Sequence, residues 1–181
     1  YVKEASDNLE HMQIEKLSYS EKAKWDAVKA LCLWLENENP NEALKYIEEK
    51  DRKGADESIL YVKGKLLNLT GETSDARKYN EAAIETNQEN RDILSNMVIS
   101  YCRTTQDRDA KIMFRTLYHD MKATSDALYY MAKIKEKENK RSDAVDFLKK
   151  ALEIERSSID LISEDELQSY KDKLEASVNE I

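Results

Sequence analysis

The sequence predicts an all-α fold made of consecutive helical hairpins, and three observations point to it. Only 3 glycines and 1 proline occur among 181 residues, so sharp turns are few and helices many. Apolar residues recur at helical spacing in one segment after another. Small residues recur with them, since Ala43, Ala76, Ala110 and Ala144 are separated by 33, 34 and 34 positions. That period is typical of helix-turn-helix repeats.

Residues 1–17 carry a partial helical stripe. Its apolar members are Val2, Ala5, Leu9, Met12 and Ile14. Two interpretations stay open at this point. The stripe is either the second helix of an earlier, truncated repeat or a helix that caps the N-terminal end of the array.

The segment 20–52 is interpreted as the first hairpin. Ser18 and Glu21 fit the S-x-x-E pattern of a capping box, which predicts that a helix starts near Ser20. This helix is apolar on nearly every side, so we expect it to be buried on more than one face. Asn39 followed by Pro40 marks the next helix, because asparagine is a good N-cap and proline is tolerated in the first turn.

The segment 56–87 shows the hairpin pattern most clearly. Gly64 lies in the middle of an apolar helical face, where glycine costs ~1 kcal/mol relative to alanine. A helix tolerates that cost when another backbone must come close. Gly71 is expected to end the first helix as a C-cap. The second helix places Ala76 and Ala83 on one side, so the two helices are predicted to cross at small residues.

Two more hairpins are predicted over 90–121 and 124–156. The third begins near Asn90, and its turn at 104–107 lacks a glycine like Gly71. The fourth is predicted to begin with Ser125 as its N-cap and to turn at Asn139 and Lys140.

A last helix is predicted over 163–181, because Ser163 and Glu166 form another capping box. One stripe of it is apolar and consists of Leu167, Tyr170, Leu174, Val178 and Ile181. Its other faces are polar, which suits the terminal cap of a repeat array. A coiled-coil or linker helix that leads to a further domain is the alternative.

Small and aromatic residues occupy matching places in these hairpins. They are Gly64, Gly71, Ala76 and Ala83 in the second, Tyr101, Ala110 and Phe114 in the third, and Ala132, Ala144 and Ala151 in the fourth. This pattern resembles that of the tetratricopeptide repeat (TPR) family, with about four repeats over residues 20–156. The resemblance implies one domain over 1–181, a right-handed α-solenoid with extra helices at both ends. Leu31 departs from the pattern, since a small residue is expected there, and it predicts wider or skewed packing.

The resemblance also implies a non-catalytic scaffold that binds a peptide or protein in a concave groove. In that family the first helix of each repeat lines the groove. The corresponding residues are Tyr61, Lys65 and Asn68, then Ser95, Asn96, Ile99 and Arg103, and finally Tyr129, Lys133 and Lys137. The set is aromatic and basic on an acidic chain, so our hypothesis is a partner peptide of acidic character. An ordinary solvated helix face is the alternative.

One subclass of the family holds the C-terminal carboxylate of chaperones with Lys, Asn and Arg on three successive first helices. The five corresponding positions in the second to fourth repeats hold Tyr61, Lys65, Asn96, Asp126 and Tyr130. Only Asn96 agrees, and the alternative register over the first three repeats has no agreement. We therefore disfavour a receptor for chaperone tails.

No catalytic motif stands out. The sequence has no phosphate-binding loop, no G-x-S-x-G and no H-E-x-x-H. His11 and His119 lack companions at metal-ligand spacing, and Cys32 and Cys102 are isolated and expected to be buried or half-buried thiols. We expect neither enzymatic activity nor a cofactor. Free thiols favour a reducing, cytoplasmic compartment, while an exported location stays open.

Charge and hydropathy limit the classes of partner that this chain is expected to bind. The formal charge of −8 predicts solubility and disfavours nucleic acid, whose phosphates it repels. No apolar run reaches the ~18 residues of a membrane span, so we expect no direct membrane insertion of this stretch.

Two further hypotheses concern the context of the chain. It begins at Tyr1 rather than methionine, which we interpret as a trimmed or processed protein. A sensor or regulatory TPR module of a larger signalling or membrane-associated protein is therefore the second functional hypothesis. Self-association is another, through the apolar N-terminal helix that contains Trp25 and Trp34.

Overall fold

The protein is all-helical, as the sequence predicts. The computed structural model describes residues 2–51, 56–71, 73–119 and 123–178, and over these ranges it has ten α-helices, one short 3-10 segment and no strand. The helices are α1 (Val2–Glu10), α2 (Tyr19–Asn37), α3 (Pro40–Glu48), α4 (Glu57–Thr70), α5 (Thr73–Thr86), α6 (Arg91–Arg103), α7 (Asp107–His119), α8 (Ser125–Lys137), α9 (Arg141–Glu153) and α10 (Glu164–Val178). The chain forms two compact units, Tyr1–Asn87 and Gln88–Ile181, which divide it between the second and third predicted hairpins.

In the first unit, α2 is the central helix. It packs against α1, α3 and α4, while α3 also packs on α4 and α4 on α5. This confirms that α2 is buried on more than one face. The core between α2, α3 and α4 contains Ala30, Ala43, Ile47 and Leu66, all fully buried. Leu31 is only partly buried and packs against the edge of this core.

The predicted helix starts in this unit follow local cap chemistry. Glu21 N–H donates to Ser18 Oγ (3.4 Å), and Ser18 N–H donates to Glu21 Oε2 (2.8 Å), so the capping box is complete. The side chain of Asn39 accepts from the N–H of Asn41 (3.1 Å), and α3 begins at Pro40. Both starts are confirmed.

The N-terminal stripe is helical over only part of its length. α1 ends at Glu10, and Met12 and Ile14 lie beyond it with 45% and 37% of their surface exposed. The partial helical stripe is therefore helical from Val2 to Leu9, whereas Met12 and Ile14 lie outside α1. The ring of His11 is hydrogen-bonded to the Asp7 carbonyl through Nδ1 (2.6 Å), and that carbonyl is the acceptor that His11 N–H would use in a continuing helix.

The second unit contains two helical hairpins and the last helix. α6 pairs with α7 and α8 with α9, while α6 and α7 also contact α8, and α10 packs on α9. Phe114, Tyr118 and Phe147 form an aromatic cluster between α7 and α9, with ring centroids 5.3 to 6.0 Å apart. Phe114 belongs to the residues that carry the repeat pattern, and here it is buried.

The recurring alanines are buried in both units. Ala43, Ala76, Ala110 and Ala144 are each 0% exposed, so none of these positions has room for a larger side chain without rearrangement. Gly64 is buried as well, and the side-chain amide of Asn80 on α5 donates to its carbonyl (3.4 Å).

A second periodicity lies in the backbone. Among the described residues, positive φ angles occur at Glu38 (51°), Gly71 (90°), Thr105 (60°) and Asn139 (59°). Each follows the first helix of a hairpin, directly or after one further residue, and successive members are 33, 34 and 34 positions apart, the spacing of the alanines. Gly71 is the C-cap of α4, as predicted. The turn without glycine keeps the left-handed conformation on Thr105, so the backbone repeats where the residue type does not.

One predicted start is wrong by one residue. The N-cap of α8 is Thr124, whose Oγ1 accepts from Ala127 N–H (3.3 Å), whereas Ser125 is the first helical residue and is buried. The Thr124 hydroxyl also donates to Ser95 Oγ on α6 (3.2 Å), a contact between helices that local sequence does not encode.

Some predicted boundaries lie outside the described residues. These are the end of the first repeat at 52, the end of the third at 121 and the continuation of the last helix to Ile181. In the part of the chain that the structure does describe, no helix combines the length and the apolar character needed to cross a bilayer.

Candidate functional site

Three of the predicted groove residues belong to α4 in the first unit. Lys65 and Asn68 are buried, with 6% and 1% of their surface exposed. Tyr61 is half-buried, and the Lys65 ammonium lies 5.9 Å from the centroid of its ring. Two of the three therefore present little surface to solvent, and their contact with a peptide stays a prediction.

The residues predicted on α6 are mostly internal. Ser95, Asn96 and Ile99 are 4%, 2% and 1% exposed. Arg103, the last residue of α6, is half-buried. For these residues, too, the predicted role in binding stays a prediction.

The residues predicted on α8 line one open cleft. Tyr129, Lys133 and Lys137 are four positions apart, which places them on the same face of the helix. The cleft has a volume of about 490 Å³ and lies between α8 and α10. Its remaining lining residues are Glu136, Glu166, Ser169, Tyr170 and Lys173.

Aromatic rings form the floor of the cleft. The Tyr129 ring meets the rings of Tyr130 and Tyr170 edge-on, with centroids 5.5 and 5.6 Å apart. Such edge-to-face geometry is the favoured arrangement of aromatic pairs. Tyr129 is only 3% exposed, so its ring lies beneath the surface at the bottom of the cleft.

Two tyrosine–glutamate hydrogen bonds cross between the helices. Tyr129 of α8 donates its hydroxyl proton to Glu166 of α10, and Tyr170 of α10 donates to Glu136 of α8 (2.5 Å). Burial, followed by the hydrogen bond to the carboxylate, raises the pKa of both tyrosines well above the usual value of 10.0. Both hydroxyls are therefore protonated donors at neutral pH, and each cleft carboxylate already accepts one hydrogen bond.

The lysines of the cleft have fewer partners of opposite charge than the glutamates have hydrogen-bond donors. The Lys133 ammonium lies 4.4 Å from the Tyr129 ring centroid and 5.8 Å from that of Tyr130, in cation–π contact with both. Within the described ranges, no carboxylate lies within 4.0 Å of the ammonium of Lys133 or Lys173. Lys137 is paired with Asp107 at 3.4 Å. Lys133 and Lys173 are exposed, and their ammonium groups thus have no anionic partner in the described part of the chain.

The α10 side of the cleft was not predicted from the sequence. Tyr170 appears there only as a member of an apolar stripe, and Glu166 as part of a capping box. The Glu166 N–H does donate to Ser163 Oγ (3.1 Å), which confirms half of that box. The reciprocal half is wrong, because the Glu166 carboxylate is bound by Tyr129 instead.

A second cavity, of about 590 Å³, lies among the ends of α7, α8 and α9. Its lining is mainly apolar and comprises Tyr118, His119, Ala123, Leu128, Lys150, Glu153 and Ile154. The Lys150 ammonium donates to the Tyr118 hydroxyl at its edge. Residues 120–122 lie between two of the lining residues and outside the described ranges, so we assign no function to this cavity.

The histidines and cysteines are not among the residues that line the α8–α10 cleft. His11 and His119 are both exposed. Cys32 is buried and Cys102 half-buried, and both are free thiols, as predicted. Burial raises the pKa of Cys102 to about 12, which keeps it in the weakly nucleophilic thiol form.

Comparison of the chain with family models, with curated proteins and with solved structures finds no match. Function is therefore argued from the geometry of the cleft between α8 and α10.

Proposed function

We propose that the protein is a non-catalytic interaction module that binds an acidic peptide segment of a partner protein in the α8–α10 cleft. The observation that carries this proposal is the pair of ammonium groups on Lys133 and Lys173. They have no carboxylate partner among the described residues, and they line a cleft with an aromatic floor. An incoming carboxylate would supply the missing partner through charge-assisted hydrogen bonds.

The electrostatics favour a local, short-range contact. The cleft holds three lysines against two glutamates, and both glutamates already accept tyrosine hydroxyls. The chain as a whole carries −8, so an acidic partner is repelled at long range and its binding depends on the local charges of the cleft. Specificity would come from the Lys133 ammonium, which is held over the Tyr129 ring, where part of its hydration shell is already removed.

The architecture that we propose around the cleft is a right-handed, TPR-like solenoid. The shared spacing of the buried alanines and of the left-handed residues supports it. In such an array the first helices of successive repeats face one surface, and α8 would be the first helix of the fourth repeat. On this proposal the partner is an extended or helical peptide rather than a small molecule.

A direct binding measurement tests the proposal. The probe is a fluorescent nonapeptide that interleaves Asp and Glu with Tyr and Leu, and its counterpart carries Asn and Gln at the acidic positions. We expect the acidic peptide alone to bind, with affinity falling as salt rises. Lys133→Glu combined with Lys173→Glu should weaken binding at least about tenfold, which is ~1.4 kcal/mol.

The matched control reverses the same number of charges elsewhere in the second unit. Arg108 and Arg115 are exposed on α7 and do not line the cleft, so Arg108→Glu with Arg115→Glu should leave binding unchanged. Equal loss in both double variants would show a non-specific charge effect and overturn the proposal. A single-stranded oligonucleotide that binds more tightly than the acidic peptide would overturn it as well.

A further inference from the structure

Two helices of the protein begin with the same S-x-x-E pattern but close it differently. At α2, Ser18 and Glu21 satisfy each other in both directions. At α10, Ser163 Oγ accepts from Glu166 N–H, but the Glu166 carboxylate points away to the Tyr129 hydroxyl. One sequence pattern therefore has a closed form at α2 and an open form at α10.

The open form leaves one backbone donor of α10 without an acceptor among the described residues. Within the described residues, nothing accepts a hydrogen bond from the Ser163 N–H. That amide is the group that the Glu166 carboxylate would bind in a complete capping box. Glu166 is an exposed side chain, so a rotation about its own bonds is not blocked by burial. The glutamate thus has two alternative donors, one on α8 and one on its own helix.

We propose that Glu166 is an internal substitute for the carboxylate of the acidic partner. In the unbound protein it holds the Tyr129 hydroxyl at the floor of the cleft. When an acidic side chain enters, that side chain takes over the Tyr129 hydroxyl and the nearby Lys133 ammonium. Glu166 then turns back to the Ser163 N–H and completes the cap of α10.

The exchange costs little free energy because each group that loses one hydrogen-bond partner gains another. Tyr129 exchanges one carboxylate for another, and Glu166 exchanges a hydroxyl donor for a backbone donor. Without such a return site, displacing Glu166 would leave its charge beside the incoming one, and like charges in one cleft repel. The cap thus offers Glu166 a favourable position outside the site.

Glu136 provides the matched comparison. It has the same relation to a tyrosine, since it accepts from Tyr170 in the same cleft. It lies in the last turn of α8, where helix carbonyls rather than vacant N–H groups are exposed. Glu166→Gln and Glu136→Gln remove the same charge from the same cleft, but only the first removes the proposed competitor.

The inference rests on the proposed function, and affinity for the acidic nonapeptide tests both. We expect Glu166→Gln to bind the peptide about fivefold or more tightly than the natural protein, because the competing carboxylate is gone. Glu136→Gln should stay within about twofold, the general effect of one fewer negative charge. Equal affinities of the two variants, with binding that still depends on Lys133 and Lys173, would overturn the inference and leave the proposed function standing. If no form of the protein binds the peptide, both are overturned.

A second readout follows Glu166 without relying on affinity. The amide resonance of Ser163 should move when the peptide is added, because its N–H gains an acceptor. Tyr129→Phe removes the competing hydroxyl, so the same resonance should move in the same direction before any peptide is present. A Ser163 amide that responds to neither change would overturn the inference even if Glu166→Gln were poorly folded.

Discussion

The hydroxyl of Tyr129 on α8 donates a hydrogen bond to the carboxylate of Glu166 on α10, and α10 begins with half a cap as a result. A mirrored bond runs from Tyr170 to Glu136. Together the two bonds join α8 and α10, each of which packs mainly against α9.

A double-mutant cycle of Tyr129→Phe and Glu166→Gln measures what the first bond contributes. Hydrogen bonds to charged groups contribute about 1.5–3 kcal/mol, and the exposure of Glu166 to water places this one slightly below that range. We expect a coupling free energy of about 1 kcal/mol from urea unfolding. Pairing Tyr129→Phe with Glu164→Gln, an exposed acid in the same turn of α10, is the control and should show no coupling. A coupling near zero for Tyr129 and Glu166 would mean that the bond is not formed in solution.

The left-handed backbone of Thr105 is strained, and a substitution at this position should relieve the strain. It adopts φ 60° although it is β-branched, and the equivalent positions hold glycine at 71 and asparagine at 139. A left-handed backbone costs an ordinary residue about 1–2 kcal/mol, and asparagine tolerates it better. Thr105→Asn should therefore raise the free energy of unfolding by about 0.5–1 kcal/mol. Thr116→Asn, the same change on an exposed helical position, should have little effect because the two residues have similar helix propensity. A Thr105→Asn variant no more stable than the natural protein would contradict the argument.

Features that depend on neighbouring residues alone were predictable from the sequence. The capping box at Ser18, the Asn39–Pro40 start and the Gly71 stop each involve partners a few positions apart. The face of α8 was predictable for the same reason, because the spacing of Tyr129 and Lys133 determines their common side.

Features that depend on a distant partner were not predictable. Thr124 replaces Ser125 as the N-cap, and its hydroxyl also reaches Ser95 on another helix. Glu166 leaves its own cap for Tyr129, 37 positions away. Nothing in the sequence says which helix faces α8 across the cleft, so the residues that α10 contributes to the site were missed.

Ala110 tests the tightness of the hairpin crossings. It is 0% exposed in α7, at the position that recurs as Ala76 and Ala144. Ala110→Leu inserts three carbon atoms into a packed contact and should lower the free energy of unfolding by ~1–3 kcal/mol. Thr116→Leu adds a similar side chain to the exposed face of the same helix and should change it little. An unchanged melting temperature for Ala110→Leu would show that the alanine does not lie at a close helix crossing.

Asp126 on α8 holds the connection that precedes α10. Its carboxylate is 2% exposed and accepts from the N–H groups of Leu161 (3.0 Å) and Ile162 (3.1 Å) in the connection before α10. Asp126→Ala leaves these donors without an acceptor and should cost about 1–3 kcal/mol of stability. Asp126→Asn keeps one oxygen and should cost less. Hydrogen exchange at Leu161 and Ile162 should quicken in the alanine variant, whereas Asp143→Ala, at an exposed acid, should leave it unchanged.

Glu138 predicts an acid-dependent part of the stability. The Lys111 ammonium lies 2.6 Å from its Oε1, and Lys140 lies 3.2 Å from its Oε2. Hydrogen bonds from Lys111 first and Lys140 second lower the pKa of Glu138 from 4.5 to about 2. A depressed folded-state pKa stabilises the protein above the unfolded value, and that contribution is lost as pH falls from 4.5 towards 2.

Glu138→Gln should therefore be less stable than the natural protein above pH 4.5 and approach it near pH 2. Because the pair is near the surface, the gap should stay within about 1 kcal/mol and shrink in high salt. Glu155→Gln removes an equal charge from an exposed residue and provides the control. Urea unfolding at several pH values measures both differences. A gap that is independent of pH would mean that Lys111 and Lys140 do not hold Glu138 in its ionised form.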